Sequence, residues 1–300
     1  MRVNPNLVPD VLADLQQSQS TLNTALQEVS TGKSVSEPSD NPSASAEMVQ
    51  NTIETGDVDQ YTQNVTSTLS MVQTADSALS NVVSSLTQAV SLGTEGANGT
   101  NSSSNQQAIA EQVQGILESV VAQANTSYAG TYVFAGTASN TEPFTASASS
   151  ASGYAYNGNA GVNSVAVGDN MDVQVNLPGS QIFSNSSGDV LGSLSSLVSA
   201  LQNGDTSAIE TATSNVTTAL NYVTQQRVFY ANAESQLNSQ QTYLQQETVT
   251  LSSQQNSLVG VDMATAATQL AQAETANSAA LAAAAKVLPD TLLNYLVPPQ

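Results

Sequence analysis

The sequence predicts a mainly α-helical protein with a small β-rich insert, in which both chain ends form a long antiparallel helical bundle or coiled coil. Three observations predict this fold class. Apolar residues recur at heptad spacing near both ends of the chain. Between the ends, residues 128–183 change to a two-residue period among Gly and Asn turns. Residues 223–258 repeat an apolar residue at every seventh position.

The N-terminal helix is predicted to begin near Pro9-Asp10, because proline suits the first turn and an acid suits the positive helix end. Gly32 is expected to end it. Its leucines and valine occupy two heptad positions, and we expect them to contact neighbouring subunits. They are Leu12 and Leu26 at one position, and Leu15, Leu22 and Val29 at the other.

Breakers divide the rest of the first half. The run 36–42 contains two prolines and is predicted to be a turn. Helical spacing then covers residues 43–92, and a loop rich in Gly, Asn and Ser is predicted from Gly93 to Asn105. A third helix follows. In the insert, β-branched residues among turn residues predict strands, at Val162, Val165, Val167, Val173 and Val175.

The second half is predicted to be helical again from Asp189, with a turn at Gly204-Asp205. A long helix covers residues 206–258, and its heptad residues are predicted to form an intramolecular coiled-coil core. They are Val223, Tyr230, Leu237, Leu244, Leu251 and Leu258.

A last, alanine-rich helix is predicted from Asp262 to Val287, ended by Pro289. It carries three further residues that we expect at a subunit interface: Leu270, Leu281 and Leu288. Two amphipathic end helices cannot bury both apolar stripes alone, which favours self-association.

These patterns predict three regions. Residues 1–35 and 261–300 form a terminal helical segment, residues 36–127 and 186–260 a helical rod domain, and residues 128–185 a β-rich outer domain. Because the insert differs in composition and lies between two helical halves, we expect the helical part to fold without it.

The composition excludes several function classes. The chain carries a formal net charge of -20, which disfavours nucleic-acid binding and anionic membrane surfaces. It contains no Cys and no His, so the commonest nucleophile, base and metal ligands are missing. No catalytic constellation, cofactor site or metal site is predicted, and the acids at 57–59 and 169–172 lack the pattern of a calcium loop. We therefore expect a structural protein, not an enzyme.

No segment has the length of a signal peptide or of a membrane span. If the protein leaves the cell, we expect a route without a cleaved signal.

Three groups of motifs point to a family. The N-terminal runs 16–22, 30–33 and 37–42, together with the C-terminal runs 261–270, 282–286 and 292–296, resemble the two end regions of bacterial flagellins and hook-associated proteins. In the middle, runs 128–137 and 142–144 are similar to the hook-associated protein 3 family, as are runs 176–183 and 200–205.

The resemblance implies a subunit of the hook–filament junction, exported unfolded by the flagellar apparatus and located outside the cell. It also implies self-association in a ring or tube, contacts with a hook-side junction protein and with flagellin, and an export chaperone. The terminal helices would line the inner tube. Two alternatives stay open: a flagellin, the bulk filament subunit, and a secreted carbohydrate-binding protein with coiled-coil ends.

Overall fold

The computed structural model describes the backbone of residues 7–296 and the side chains of residues 9–286. Within the described backbone, seven helices and six short strands follow in the order α1, α2, α3, β1 to β6, α4, α5, α6, α7. The helices are α1 (Leu7–Thr31), α2 (Pro42–Gly96), α3 (Ser103–Ala124), α4 (Gly179–Phe183), α5 (Val190–Asn203), α6 (Thr206–Val259) and α7 (Met263–Leu296). The strands are β1 (Ser127–Tyr128), β2 (Thr131–Tyr132), β3 (Phe144–Ala146), β4 (Tyr154–Tyr156), β5 (Ser164–Gly168) and β6 (Met171–Gln174).

The predicted fold class is confirmed: the chain is mainly helical, with a small β-containing region in the middle. The strands form three separate antiparallel pairs, β1 with β2, β3 with β4 and β5 with β6. Along the described backbone, no helix is both long enough and apolar enough to cross a membrane.

The chain divides into two compact units, Met1–Asp57 with Glu247–Gln300, and Val58–Gln246. This division places both chain ends in one unit and the insert together with most of α2 and α6 in the other. The sequence patterns predicted the insert as a region separate from the helical rod domain, whereas this division groups the insert with most of α2 and α6.

Two predicted boundaries are wrong. The loop was expected to begin at Gly93, but α2 continues to Gly96. Both glycines allow α2 to pack closely against side chains of other helices. A Cβ atom on Gly93 would lie 2.3 Å from Thr213 Oγ1, and one on Gly96 would lie 2.3 Å from Leu201 Cδ2. At the other end, Pro289 does not end α7, which continues to Leu296. Proline removes one backbone hydrogen bond, but its fixed φ near about −65° is compatible with a helix.

In the unit 58–246, α2 and α6 run antiparallel and are held by side-chain pairs. Arg227 of α6 donates two hydrogen bonds of 2.9 Å to the carboxylate of Asp76 in α2. The hydrogen bonds to Asp76 raise the pKa of Arg227, so the guanidinium stays charged. Glu234, farther along α6, accepts a bond from Gln73, which lies earlier in α2.

The insert shares its core with α6. Phe134, Phe144 and Phe183 stack edge to face, with ring centroids 5.4 and 5.6 Å apart, and Phe134 also meets Tyr230 of α6 at 6.5 Å. These rings are almost completely buried. This shared core argues against the expectation that the helical part folds without the insert, since removing the insert would expose Tyr230.

Hydrogen bonds add to this attachment. The backbone N–H of Leu177 donates to the Tyr230 hydroxyl at 3.1 Å, in a buried position. Gln240 of α6 donates to the Val167 carbonyl at 2.8 Å, and Asn64 of α2 donates to the Ala166 carbonyl at 2.9 Å. The β5–β6 hairpin is thus fastened to both long helices.

The buried Tyr230 hydroxyl gives the first prediction. Burial raises the pKa of Tyr230, so the hydroxyl stays neutral and available to the Leu177 N–H. We expect Tyr230→Phe to lower the free energy of unfolding by about 1–3 kcal/mol, because it leaves a buried N–H without a partner. Urea unfolding followed by circular dichroism measures this change.

The matched control is Tyr243→Phe, which removes the same hydroxyl from a side chain of α6 that is 59% exposed. We expect a change within about 0.5 kcal/mol for this surface substitution. Equal effects of the two variants would contradict the role assigned to the Tyr230 hydroxyl.

The other unit, formed by the chain ends, has a much thinner core. Its buried apolar side chains, among the described residues, are five alanines, Leu251 and Val259. An alanine buries little surface, whereas ordering one residue costs about 1–2 kcal/mol. The chain ends therefore belong to the low-stability part of the monomer.

The second prediction follows from this difference in burial. In the purified monomer, we expect fast amide hydrogen exchange in α1 and α7 and slow exchange in 65–92 of α2 and 209–244 of α6. Mass spectrometry of the exchanged chain measures both sets in one experiment, so the long helices serve as the internal control. Equal protection of the chain ends and the long helices would refute this assignment.

Candidate assembly interface

The terminal helices α1 and α7 pack against each other in antiparallel directions, joined at one end by backbone hydrogen bonds. Ser34 N–H donates to the Val259 carbonyl at 2.8 Å, and Val261 N–H donates to the Gly32 carbonyl at 3.0 Å. Gly32 itself takes a left-handed conformation with φ of 70°, which ends α1 as predicted.

Helix α7 begins with its own N-terminal cap. Asp262 accepts a bond from the Thr265 hydroxyl and another from the Ala264 backbone N–H. These bonds hold the pKa of Asp262 below its ordinary value. The cap fixes where α7 starts, close to the hydrogen bonds that join it to the end of α1.

The contact between the two helices follows a strict heptad pattern. Residues spaced alternately by four and three are buried or half-buried on each helix, as expected for two coiled-coil partners. We call this set the seam. It comprises Val11, Leu15, Ser18, Leu22, Ala25 and Val29 of α1, and Ala266, Leu270, Ala273, Asn277, Ala280 and Ala284 of α7.

The predicted interface residues fall into two groups. Leu15, Leu22, Val29 and Leu270 are half-buried in the seam and so face the other helix of the same chain. Three leucines point away from the seam into solvent; we call Leu12, Leu26 and Leu281 the outer leucines, and they are 45%, 45% and 47% exposed. Leu288 lies outside the described side chains.

Sequence reasoning missed most of the seam on α7. The interface was predicted from the leucines, whereas the seam on α7 is largely alanine. Ala266, Ala273 and Ala280 repeat at seven-residue spacing among many other alanines. The periodicity of small residues could have indicated that the two helices approach closely. Ser18 and Asn277 were missed because their side chains are polar.

A surface groove runs between the two helices. It has a volume of ≈ 460 Å³, with Ala25, Ala273 and Ala276 among its small apolar lining residues. Amide and hydroxyl side chains such as Gln17 and Gln272, together with the carboxylate of Glu28, line the rest. No described group of three acidic residues could hold a metal ion. The groove offers small side chains for packing and polar side chains for hydrogen bonding.

The residues predicted for the intramolecular core lie on one stripe of α6. The structure buries Val223, Tyr230, Leu237, Leu244 and Leu251, and it leaves Leu258 half-buried. In the unit of the chain ends, Asn51 of α2 donates a hydrogen bond of 3.0 Å to the Leu251 carbonyl. This stripe therefore faces the interior of the protein.

Comparison with known proteins agrees with this geometry. Residues 8–139 match the bacterial flagellin N-terminal helical region, and residues 213–296 match the bacterial flagellin C-terminal helical region. Flagellar hook-associated protein 3 of Escherichia coli is 33% identical over 119 residues, which are 39% of this chain and 38% of that protein. The aligned part thus spans well under half of this relative.

Solved structures share the fold. A chain from Vibrio parahaemolyticus, assigned to the flagellar hook-associated proteins, has a TM-score of 0.68 at 17% identity, covering 74% of this chain and 100% of that one. The flagellar junction protein FlgL of Legionella pneumophila has a TM-score of 0.60 at 14% identity, covering 71% and 100%. The predicted family resemblance is confirmed. With both helical end regions matched, the chain belongs to the bacterial flagellin family and is similar, within it, to hook-associated protein 3.

Proposed function

We propose that this chain is a structural subunit of the bacterial flagellum that joins the hook to the filament and is needed for filament assembly. The observation that carries the proposal is the paired terminal helices with their outer leucines. A helix pair that leaves three leucines about half exposed has apolar surface for further helices to cover. The hook-associated and junction proteins among its relatives favour the junction over the bulk filament.

The proposal has a defined geometry. The terminal helices of neighbouring copies pack side by side in a ring or tube and cover each other's outer leucines, while the insert faces outward. A hook-side junction protein and flagellin contact the two ends of this ring. The protein is extracellular, is exported without a cleaved signal and is bound by an export chaperone before assembly. It has no enzymatic role, needs no cofactor, binds no nucleic acid and does not insert into a membrane.

Deletion of the gene tests the junction role. We expect cells that form hooks without filaments and release flagellin as monomer, because the filament lacks its attachment layer. Electron microscopy of flagella and immunoblotting of the culture medium measure both outcomes, and a plasmid copy should restore filaments.

Normal filaments on the deletion strain would contradict the junction role. Abundance separates the junction subunit from a flagellin. A flagellin would be the dominant protein of sheared filaments, whereas a junction subunit would be a trace component.

The outer leucines give a sharper test of the interface. Burying a fully exposed leucine contributes about 1.5–3 kcal/mol, so covering a half-exposed one contributes about 0.7–1.5 kcal/mol, and losing it from each contact should weaken association about three- to tenfold. We expect Leu12→Ser and Leu281→Ser to reduce the number of filaments per cell strongly. Because these side chains are exposed in the monomer, its circular dichroism should not change.

Val162→Ser is the matched control, since Val162 is 53% exposed but lies in the insert. It should leave filament number unchanged. Full filament numbers in both leucine variants, with normal export, would show that these side chains are not at the subunit contact.

A further inference from the structure

Two polar residues interrupt the apolar seam of the terminal helix pair. Ser18 occupies a seam position of α1 and Asn277 a seam position of α7, where all other positions carry Val, Leu or Ala. The Ser18 hydroxyl oxygen and the Asn277 side-chain oxygen are both buried and have no hydrogen-bond partner. Such atoms are rare in folded proteins and call for a physical explanation.

The Ser18 hydroxyl differs from its neighbours on the same helix. Thr21, Thr24 and Thr31 each donate a hydrogen bond to the backbone carbonyl four residues earlier, at 2.8–3.1 Å. A serine hydroxyl in a helix can normally do the same. Ser18 does not, so its hydroxyl lies in the seam without a hydrogen-bond partner on its own helix.

The two residues lie at nearly the same height along the pair. From the hydrogen-bonded end at Gly32 and Val261, Ser18 is 32 − 18 = 14 residues along α1 and Asn277 is 277 − 261 = 16 residues along α7. At about 1.5 Å per residue, these heights are about 21 and 24 Å. Antiparallel packing therefore brings the two polar side chains to one layer of the seam.

We propose that Ser18 and Asn277 form a polar layer that fixes the register in which α1 and α7 pair. The alanines of α7 repeat at seven-residue spacing, so sliding α7 by one heptad replaces Ala by Ala over much of the seam. That slide would bring Ala284 to Ser18 and would move Asn277 towards Leu22 and Ala25. Only the true register places both polar side chains in one layer, whereas the slipped register would surround each of them with apolar side chains; a buried Asn fixes the register of other coiled coils in this way.

Register matters here because it sets the height of the outer leucines. Leu12 is 20 residues from Gly32 and Leu281 is 20 residues from Val261, which places them at the same level, about 30 Å from the hydrogen-bonded end. A slip by one heptad would displace them by about 10 Å relative to each other. Under the proposed function, neighbouring copies would then meet a mismatched surface. The register itself does not depend on that function.

Disulfide trapping in the full chain tests the layer, and the protein contains no native Cys to interfere. Thr24→Cys with Gln272→Cys reports the true register, because both positions line the same groove. Thr24→Cys with Ala279→Cys reports a slip of one heptad. With the native polar layer, we expect the true-register cross-link to exceed the slipped one by about tenfold or more.

The apolar variant Ser18→Ala/Asn277→Leu should bring the two cross-links to within about threefold of each other, because it removes the polar layer that distinguishes the registers. Two controls accompany it. The exchanged variant Ser18→Asn/Asn277→Ser keeps a polar layer and should keep the true register. Ser20→Ala/Ser278→Leu changes exposed positions of the same helices and should also keep it.

Three outcomes would overturn the proposal. The first is an apolar variant that retains the tenfold preference. The second is an exchanged variant that loses it. The third is a native seam that gives no preference between the two cross-links. Each outcome can be read without any assembly assay, so failure of the polar layer is distinguishable from failure of the junction role.

Discussion

The hydrogen bonds between Gly32–Ser34 and Val259–Val261 are the constraint on which the chain ends depend. They join two segments separated by more than two hundred residues and turn α1 and α7 into antiparallel neighbours. Without them, each terminal helix would be an isolated amphipathic segment with little to bury. Because this hydrogen-bonded contact is small and the seam is rich in alanine, α1 and α7 are held together chiefly at one end. Its remaining stability has to come from the seam and from whatever covers the outer leucines.

A second constraint ties the insert to the long helices. Tyr230 belongs to α6, yet its ring packs against Phe134 and its hydroxyl accepts a hydrogen bond from the Leu177 N–H. The insert therefore folds onto a surface that the helices provide, and its three short strand pairs need not join into one larger sheet. This explains why a region of two- to five-residue strands can be ordered, since isolated hairpins are marginal in water.

Sequence periodicity predicted the positions of the helices well, but it predicted poorly which face of each terminal helix is buried. The heptads from Val223 to Leu251 fall on buried positions because large side chains dominate that stripe. On α1, by contrast, leucines occupy two faces, and the pattern alone could not say that Leu15 faces α7 while Leu12 faces solvent. Apart from Leu270, the α7 side of the seam is alanine and asparagine, which carry a much weaker hydrophobic signal than leucine. The error at Gly93 has a similar origin, because only tertiary contact reveals that a glycine allows two helices to approach.

The hydroxyl side chains along the helices have a consequence for the response to ionic strength. Thr and Ser residues such as Thr62, Thr74 and Thr224 donate to the carbonyl four residues back, so much of the polar surface is neutral and satisfied locally. Neutral hydrogen bonds are insensitive to dissolved salt, whereas repulsion between chains of net charge -20 is screened by it. Added salt should thus leave these local hydrogen bonds nearly unchanged while it screens the repulsion between acidic side chains and eases the approach of the next subunit.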